Sequence, residues 1–287
     1  MIVDNHAISI VDLLNDYSIE VNPRDATTID SIPDRVDPYS EVYLTWIPGS
    51  DPMDMVAPAA KLRRSNLCAV PHIGARHIES SEQLEDLINK LTSSAGVERV
   101  LIVGGDRRRA AGPYNSALEI IQTGVLQRFG IMHIAIAGFP EGNPSISTEN
   151  LTRSLIAKVR FSRDEGLHVT IVTQFCFSAE PIVHWLRFIK SMDIDVPVRI
   201  GLAGPAGLGT LTRYAIRCGV GNSLRVLTEK PSFAKLLTQH GPADIIRDIA
   251  TSIGSASSLN PLAVGFHFFL FGGFERTMDW IGIERGR

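Results

Sequence analysis

Apolar positions along this chain follow two periods. Short runs rich in Val, Ile, Leu and Tyr recur, and between them apolar residues fall three and four apart. The first pattern predicts strands and the second helices. Eight strands are predicted: 17–21 (YSIEV), 41–46 (EVYLTW), 67–72 (LCAVPH), 100–103 (VLIV), 132–137 (MHIAIA), 168–174 (HVTIVTQ), 198–202 (VRIGL) and 263–270 (AVGFHFFL). Most are apolar throughout, as expected of parallel strands covered on both faces. A helix is predicted over 80–96 (SSEQLEDLINKLTSSAG), which opens on serine beside an acid and closes on glycine. NSALEIIQTGVL, LTRSLIAKVRFSRDEG and AEPIVHWLRFIKSMDI repeat the pattern, and 210–259 holds two or three more helices.

Eight strands alternating with helices imply an α/β fold, a single (β/α)8 TIM barrel with residues 1–287 as one catalytic domain. A doubly wound sheet is the alternative. It needs a strand running into GxGxxG, and only GLAGPAGLG at 201–209 comes near it.

Composition narrows the function. The chain is 44% hydrophobic and 21% charged, enough to bury a sizeable core. A net charge of -3 gives no basic footprint, so nucleic acid is not an expected partner. No apolar run reaches the ~20 residues of a membrane helix. The start, MIVDNHAISIVDLLND, lacks the basic region and cleavage site of a signal peptide, so a cytoplasmic location is expected. Cys68, Cys176 and Cys218 are widely spaced and odd in number. They read as reduced, buried thiols, and no metal site is expected. A homo-oligomer is left open.

Barrel enzymes gather their chemistry at the C-terminal ends of the strands. Here those ends carry Glu20, Thr45, His72, Gly104, Gly105 and Asp106, the run from Phe139 to Asn143, and Gln174 with Phe175. Each has a plain structural reading. These are Glu20 as a solvent-facing strand residue, His72 as a satisfied structural ring, Asp106 as a cap on the next segment, and Gln174 as a buried amide with backbone partners. Arg107–Arg109 read as a solvated run or as a phosphate clamp. Two carboxylates, an imidazole and an amide at one set of strand ends carry more weight together than singly.

In this order the motifs resemble the methylenetetrahydrofolate reductase family. SIEVNPRD is similar to its first strand, VYLTW to the second, AVPHI to the third, VLIVGGD to the fourth, IAGFPEGNP to the fifth and VTQFCF to the sixth; HFFLFGG matches the last more loosely. The resemblance runs in register from Tyr17 to about Arg199. It implies a (β/α)8 barrel of one-carbon metabolism, serving methionine biosynthesis. Such enzymes use NADH or NADPH, through bound FAD, to reduce 5,10-methylenetetrahydrofolate to 5-methyltetrahydrofolate. By the same resemblance Glu20 is the general acid toward folate N10, and Asp106, Gln174 and Phe175 bind the tetrahydrofolate derivative. Thr45, His72, Gly104, Gly105, Phe139, Asn143 and Lys158 fall at cofactor-binding positions.

Several of these positions depart from the family. Gly104 stands where it has Arg, Phe139 where it has Tyr and Asn143 where it has His, and Ala157 precedes Lys158 where it offers a cationic pair. The losses are on the flavin side, which weighs against bound FAD unless Arg107–Arg109 or Arg153 compensate. Hydride passing directly from the nicotinamide is then favoured over relay through FAD. A methyltetrahydrofolate-dependent methyltransferase and a non-catalytic folate-binding subunit are the alternatives.

Overall fold

The apolar runs form eight strands: β1 (Tyr17–Val21), β2 (Glu41–Leu44), β3 (Cys68–Gly74), β4 (Arg99–Val103), β5 (His133–Gly138), β6 (His168–Thr173), β7 (Val198–Ala203) and β8 (Ala263–Phe269). In the computed structural model they close into one barrel in chain order. The structure describes residues 11, 14–47, 49–220, 241–254 and 263–286. The expected α/β barrel is therefore present, with parallel pairing at β1–β2, β2–β3, β3–β4, β4–β5 and β7–β8. Strand bounds shift by one or two residues from the expected ones. β3 runs on to Gly74, so His72 lies inside the strand rather than at its end, and β2 stops before Thr45.

Helices α1 (Ala26–Arg35), α2 (Val56–Arg64), α3 (Ser81–Ser93), α4 (Ala117–Gln122), α5 (Val125–Arg128), α6 (Thr148–Asp164), α7 (Ala179–Ser191), α8 (Leu208–Cys218), α9 (Ala243–Gly254) and α10 (Phe274–Glu284) fill the intervals. NSALEIIQTGVL is two helices, because Gly124 takes φ +68° and breaks the run. Part of the helical region expected over 210–259 lies outside the described residues. Among those described, no helix is long and apolar enough to cross a membrane.

The chain divides into two compact units. The first comprises residues 18–138 and 152–172. Its inner layer is Tyr43, Val70, Leu101, Ala135 and Val172, one side chain from each of β2 to β6. Local signals seat its helices. Asp25 caps α1 by accepting from Thr28 N, and Ser80 caps α3 by accepting from Gln83 N. Leu84, Leu87, Ile88 and Leu91 then bury one stripe of α3. At the strand starts, Glu41 accepts from Arg99 Nη1 at 2.7 Å and from the Tyr43 hydroxyl at 3.2 Å.

In this unit Gly112 lies against the carbonyls of Ile78 and Glu79 with no room for a side chain. Gly112→Ala should therefore destabilise by about 1–3 kcal/mol, the usual range for overpacking. A lower denaturant midpoint at unchanged slope checks this; an unaltered midpoint would show that the loop yields freely.

The second unit comprises residues 1–17, 139–151 and 173–287. Rings dominate its core: Phe268 meets Tyr17 edge-on at 6.2 Å and Trp280 at 5.7 Å. Arg199 Nη2 donates to Asp16 Oδ1 at 3.0 Å, and the Tyr17 hydroxyl donates to Met278 Sδ. The glycine-rich stretch has a packing explanation. Gly201 is inside β7 against the Thr173 carbonyl, and Gly204 lies against Thr277. None of the three cysteines is in a disulfide; Cys176 is buried as expected, whereas Cys68 is half-buried and Cys218 exposed.

Candidate active site

In the first unit the polar groups cluster around β1, β2, β3 and the loop after β4. Glu20 is the fourth residue of β1, between the buried Ile19 and Val21, with its side chain 20% exposed. Its Oε2 stands 3.5 Å from Nε2 of His72, an ion pair when the ring is protonated. Tyr43, the neighbour of Glu20 across the β1–β2 ladder, meets the His72 ring edge-on at 6.1 Å. A carboxyl on an apolar strand beside an imidazole can hold a proton and deliver it.

Just past β2, the Thr45 hydroxyl and the Trp46 indole N–H are both buried and make no hydrogen bond among the described residues. A buried polar group without a partner costs about 1–3 kcal/mol. Two of them on consecutive residues suit a site whose ligand supplies the partners. The Trp46 ring lies 5.2 Å from that of His77, and His77 Nε2 binds Asp106 Oδ1 at 2.7 Å. Arg76 ties the Gly104-Gly105-Asp106 loop down: its N–H donates to Gly104 O, and its guanidinium to Arg107 O and Asn115 O. Gly105, at φ +89°, makes this turn available. The side chains of Arg107, Arg108 and Arg109 project into solvent.

Lys158, on α6, is only 7% exposed and has no acidic partner within ion-pair reach among the described residues. Burial lowers its pKa to about 8. Ser162, one turn further on the same face, has a buried hydroxyl that makes no hydrogen bond among the described residues.

In the second unit, Gln174 follows β6 and donates through Nε2 to Gly142 O at 3.2 Å, in the loop after β5. Its carboxamide oxygen makes no hydrogen bond among the described residues, so this amide has a structural partner and one acceptor to spare. Phe175 is buried, packed against Phe177, Phe269 and Phe271 at centroid distances of 4.8–5.5 Å. Phe139 O accepts from Gly142 N, and Asn143 Oδ1 accepts from Ser145 N, so both shape the loop. Glu141 sits beside Cys176; burial and that carboxylate push the thiol well above its ordinary pKa. Among the described residues no three metal-ligating side chains stand together.

Sequence reading missed Trp46, Arg76 and His77. Arg76 and His77 sit in a one-turn 3-10 helix, Ala75–His77, directly after β3, beyond the end expected for that strand. The second imidazole in PHIGARHIES and the flanking Gly74 and Gly105 were the available signal.

Comparison with known proteins gives the frame for these residues. A solved structure, "Uncharacterized protein from Clostridium thermocellum binds two copies of 5-methyl-5,6,7,8-tetrahydrofolic acid", superposes with a TM-score of 0.55 at 13% identity, covering 96% of this chain and 98% of that one. At that identity the likeness concerns the fold. The family model described as methylenetetrahydrofolate reductase matches residues 15–221 of the 287. That match takes in β1 to β7 and every candidate residue above, and the chain belongs to the methylenetetrahydrofolate reductase family.

Proposed function

We propose that this protein reduces 5,10-methylenetetrahydrofolate to 5-methyltetrahydrofolate, with NADH or NADPH giving its hydride directly to the folate. The observation that carries the reading is the Glu20–His72 pair on β1 and β3, a half-buried carboxyl beside a buried imidazole. Glu20 donates a proton to N10, the C–N10 bond of the methylene bridge opens, and the exposed methylene carbon accepts the hydride as a methyl group. Asp106 keeps an acceptor oxygen for an N–H group of the folate ring. Thr45 and Trp46 offer donors to the carboxamide of the nicotinamide, and Lys158 offers its charge to the dinucleotide phosphates. Family membership supports the reaction class, and a fold neighbour that binds 5-methyltetrahydrofolate supports the substrate class.

Bound FAD is not part of this reading. At the positions where the resemblance places Arg, Tyr, His and a second cation toward the flavin, this chain has Gly104, Phe139, Asn143 and Ala157. Gly104 presents only backbone, and the Asn143 oxygen is engaged by Ser145. The residues do not fit the group.

The test is the absorbance spectrum of the purified protein, paired with an assay without added flavin. A colourless protein that oxidises NADH or NADPH only when methylenetetrahydrofolate is present is the expected result. A flavin spectrum near one equivalent would replace direct transfer by a flavin relay. A colourless protein that binds 5-methyltetrahydrofolate without oxidising either dinucleotide would leave folate binding and refute the reductase reading.

A further inference from the structure

We infer that His77 is a positioning residue that sets the Asp106 carboxylate for folate; this rests on the reading of Asp106 as a folate contact. The two partners differ sharply in exposure. The Asp106 side chain is 64% exposed on a loop entered through two glycines, whereas the His77 side chain bonded to it is 8% exposed. A free aspartate on such a loop would sample several rotamers in water. Here one oxygen is held at 2.7 Å, the short range of a charge-assisted bond. The carboxylate accepts, so Nε2 carries the hydrogen.

The ring that holds it has little room to move. Trp46 packs on it at 5.2 Å. A Cβ on Gly105 would come within 2.9 Å of His77 Cδ2, and one on Gly74 within 3.1 Å, so both glycines leave space for this imidazole. The backbone on either side of Asp106 is fixed by the preceding residue: Arg76 bonds the carbonyls of Gly104 at 2.9 Å and Arg107 at 3.0 Å. Residue 76 thus fixes the loop and residue 77 fixes the carboxylate it carries. An exposed ion pair adds little to stability, so this degree of fixing serves Oδ2, the oxygen left for a ligand. His77 makes Asp106 a preset acceptor for a ring N–H and removes the ordering cost from binding.

The test compares H77F, which fills the box without an N–H, with H77Q, which restores one, and with D106N and the H77F/D106N double variant. The dissociation constant for 5-methyltetrahydrofolate is read by titration calorimetry, and kcat and the KM values for methylenetetrahydrofolate and the dinucleotide by steady-state kinetics. H77F should weaken folate binding about tenfold with little change in kcat or in KM for the dinucleotide, as loss of a preset contact predicts. H77Q should recover most of that loss, and H77F should add nothing in the D106N background. Where H77F unfolds the protein, H77A replaces it with the same expectation. Unchanged folate affinity in the folded His77 variant, with weaker binding in D106N, would overturn the inference alone. Unchanged affinity in D106N would instead overturn the role given to Asp106.

Discussion

Glu20→Gln should lower kcat by about two to four orders of magnitude, the usual span for loss of a general acid. The amide keeps the shape and polarity of the side chain and removes the proton. Ile19 and Val21 remain buried on either side of it, so the barrel strand is undisturbed. The melting temperature and dinucleotide affinity of the variant should stay near those of the parent, and the fall should appear in kcat rather than KM. His72 is 3.5 Å away, longer than a hydrogen bond, and catalytic contacts of this kind commonly tighten only with substrate in place. A Glu20→Gln enzyme that turned over normally would remove Glu20 from the mechanism.

Lys158→Met should have opposite effects on stability and on binding. The native lysine is buried without a counter-charge among the described residues, and its pKa falls from 10.5 to about 8. Below pH 8 it is charged in both folded and unfolded protein, so the folded state bears the full burial penalty. As pH rises from 8 to 10.5 the folded protein loses the proton first; the unfolded chain binds more protons, and stability increases with pH. Removing the lysine removes about 3 kcal/mol of penalty at neutral pH. Lys158→Met should therefore melt higher at pH 7, with an advantage that shrinks above pH 8, and should raise KM for NADH or NADPH about tenfold by loss of a charge-assisted phosphate contact. Denaturant unfolding at pH 7 and 10, with steady-state kinetics, checks both. Equal stability at pH 7 would mean that the Lys158 charge is already compensated. An unchanged KM would remove it from the dinucleotide site.

The barrel was legible because its strands are nearly all apolar and its helices carry clear stripes and caps. The runs VLIV and HVTIVTQ could hardly be anything but buried strands, and Ser80 with Leu84, Leu87, Ile88 and Leu91 names a helix and its inner face. Candidate residues on or beside strands, such as Glu20, His72 and Gln174, followed from that register. His77, Arg76 and Trp46 did not, because their placement depends on a short turn and on contacts with the loop after β4, dozens of residues away. Gly201 and Gly204 belong to the stretch that comes near GxGxxG in one dimension, and in three they are close approaches to backbone and side chain. Periodicity reports burial well; it does not report which loops meet.

The two units also differ in how far along the chain their contacts reach. In the first, the pairs that hold the structure lie within about one hundred and fifty residues of each other, and its last segment ends at residue 172. In the second, Asp16 waits for Arg199, and Tyr17 waits for Met278, 261 positions later. Contacts of that separation form late, because the entropy of closing the long loop comes before any reward. On the ribosome, the residues of the first unit, 18–138 and 152–172, can condense while the rest is still being made. Asp16 and Tyr17 stay without these partners until β7 and α10 have left the exit tunnel, and stay open to chaperones and proteases for that time.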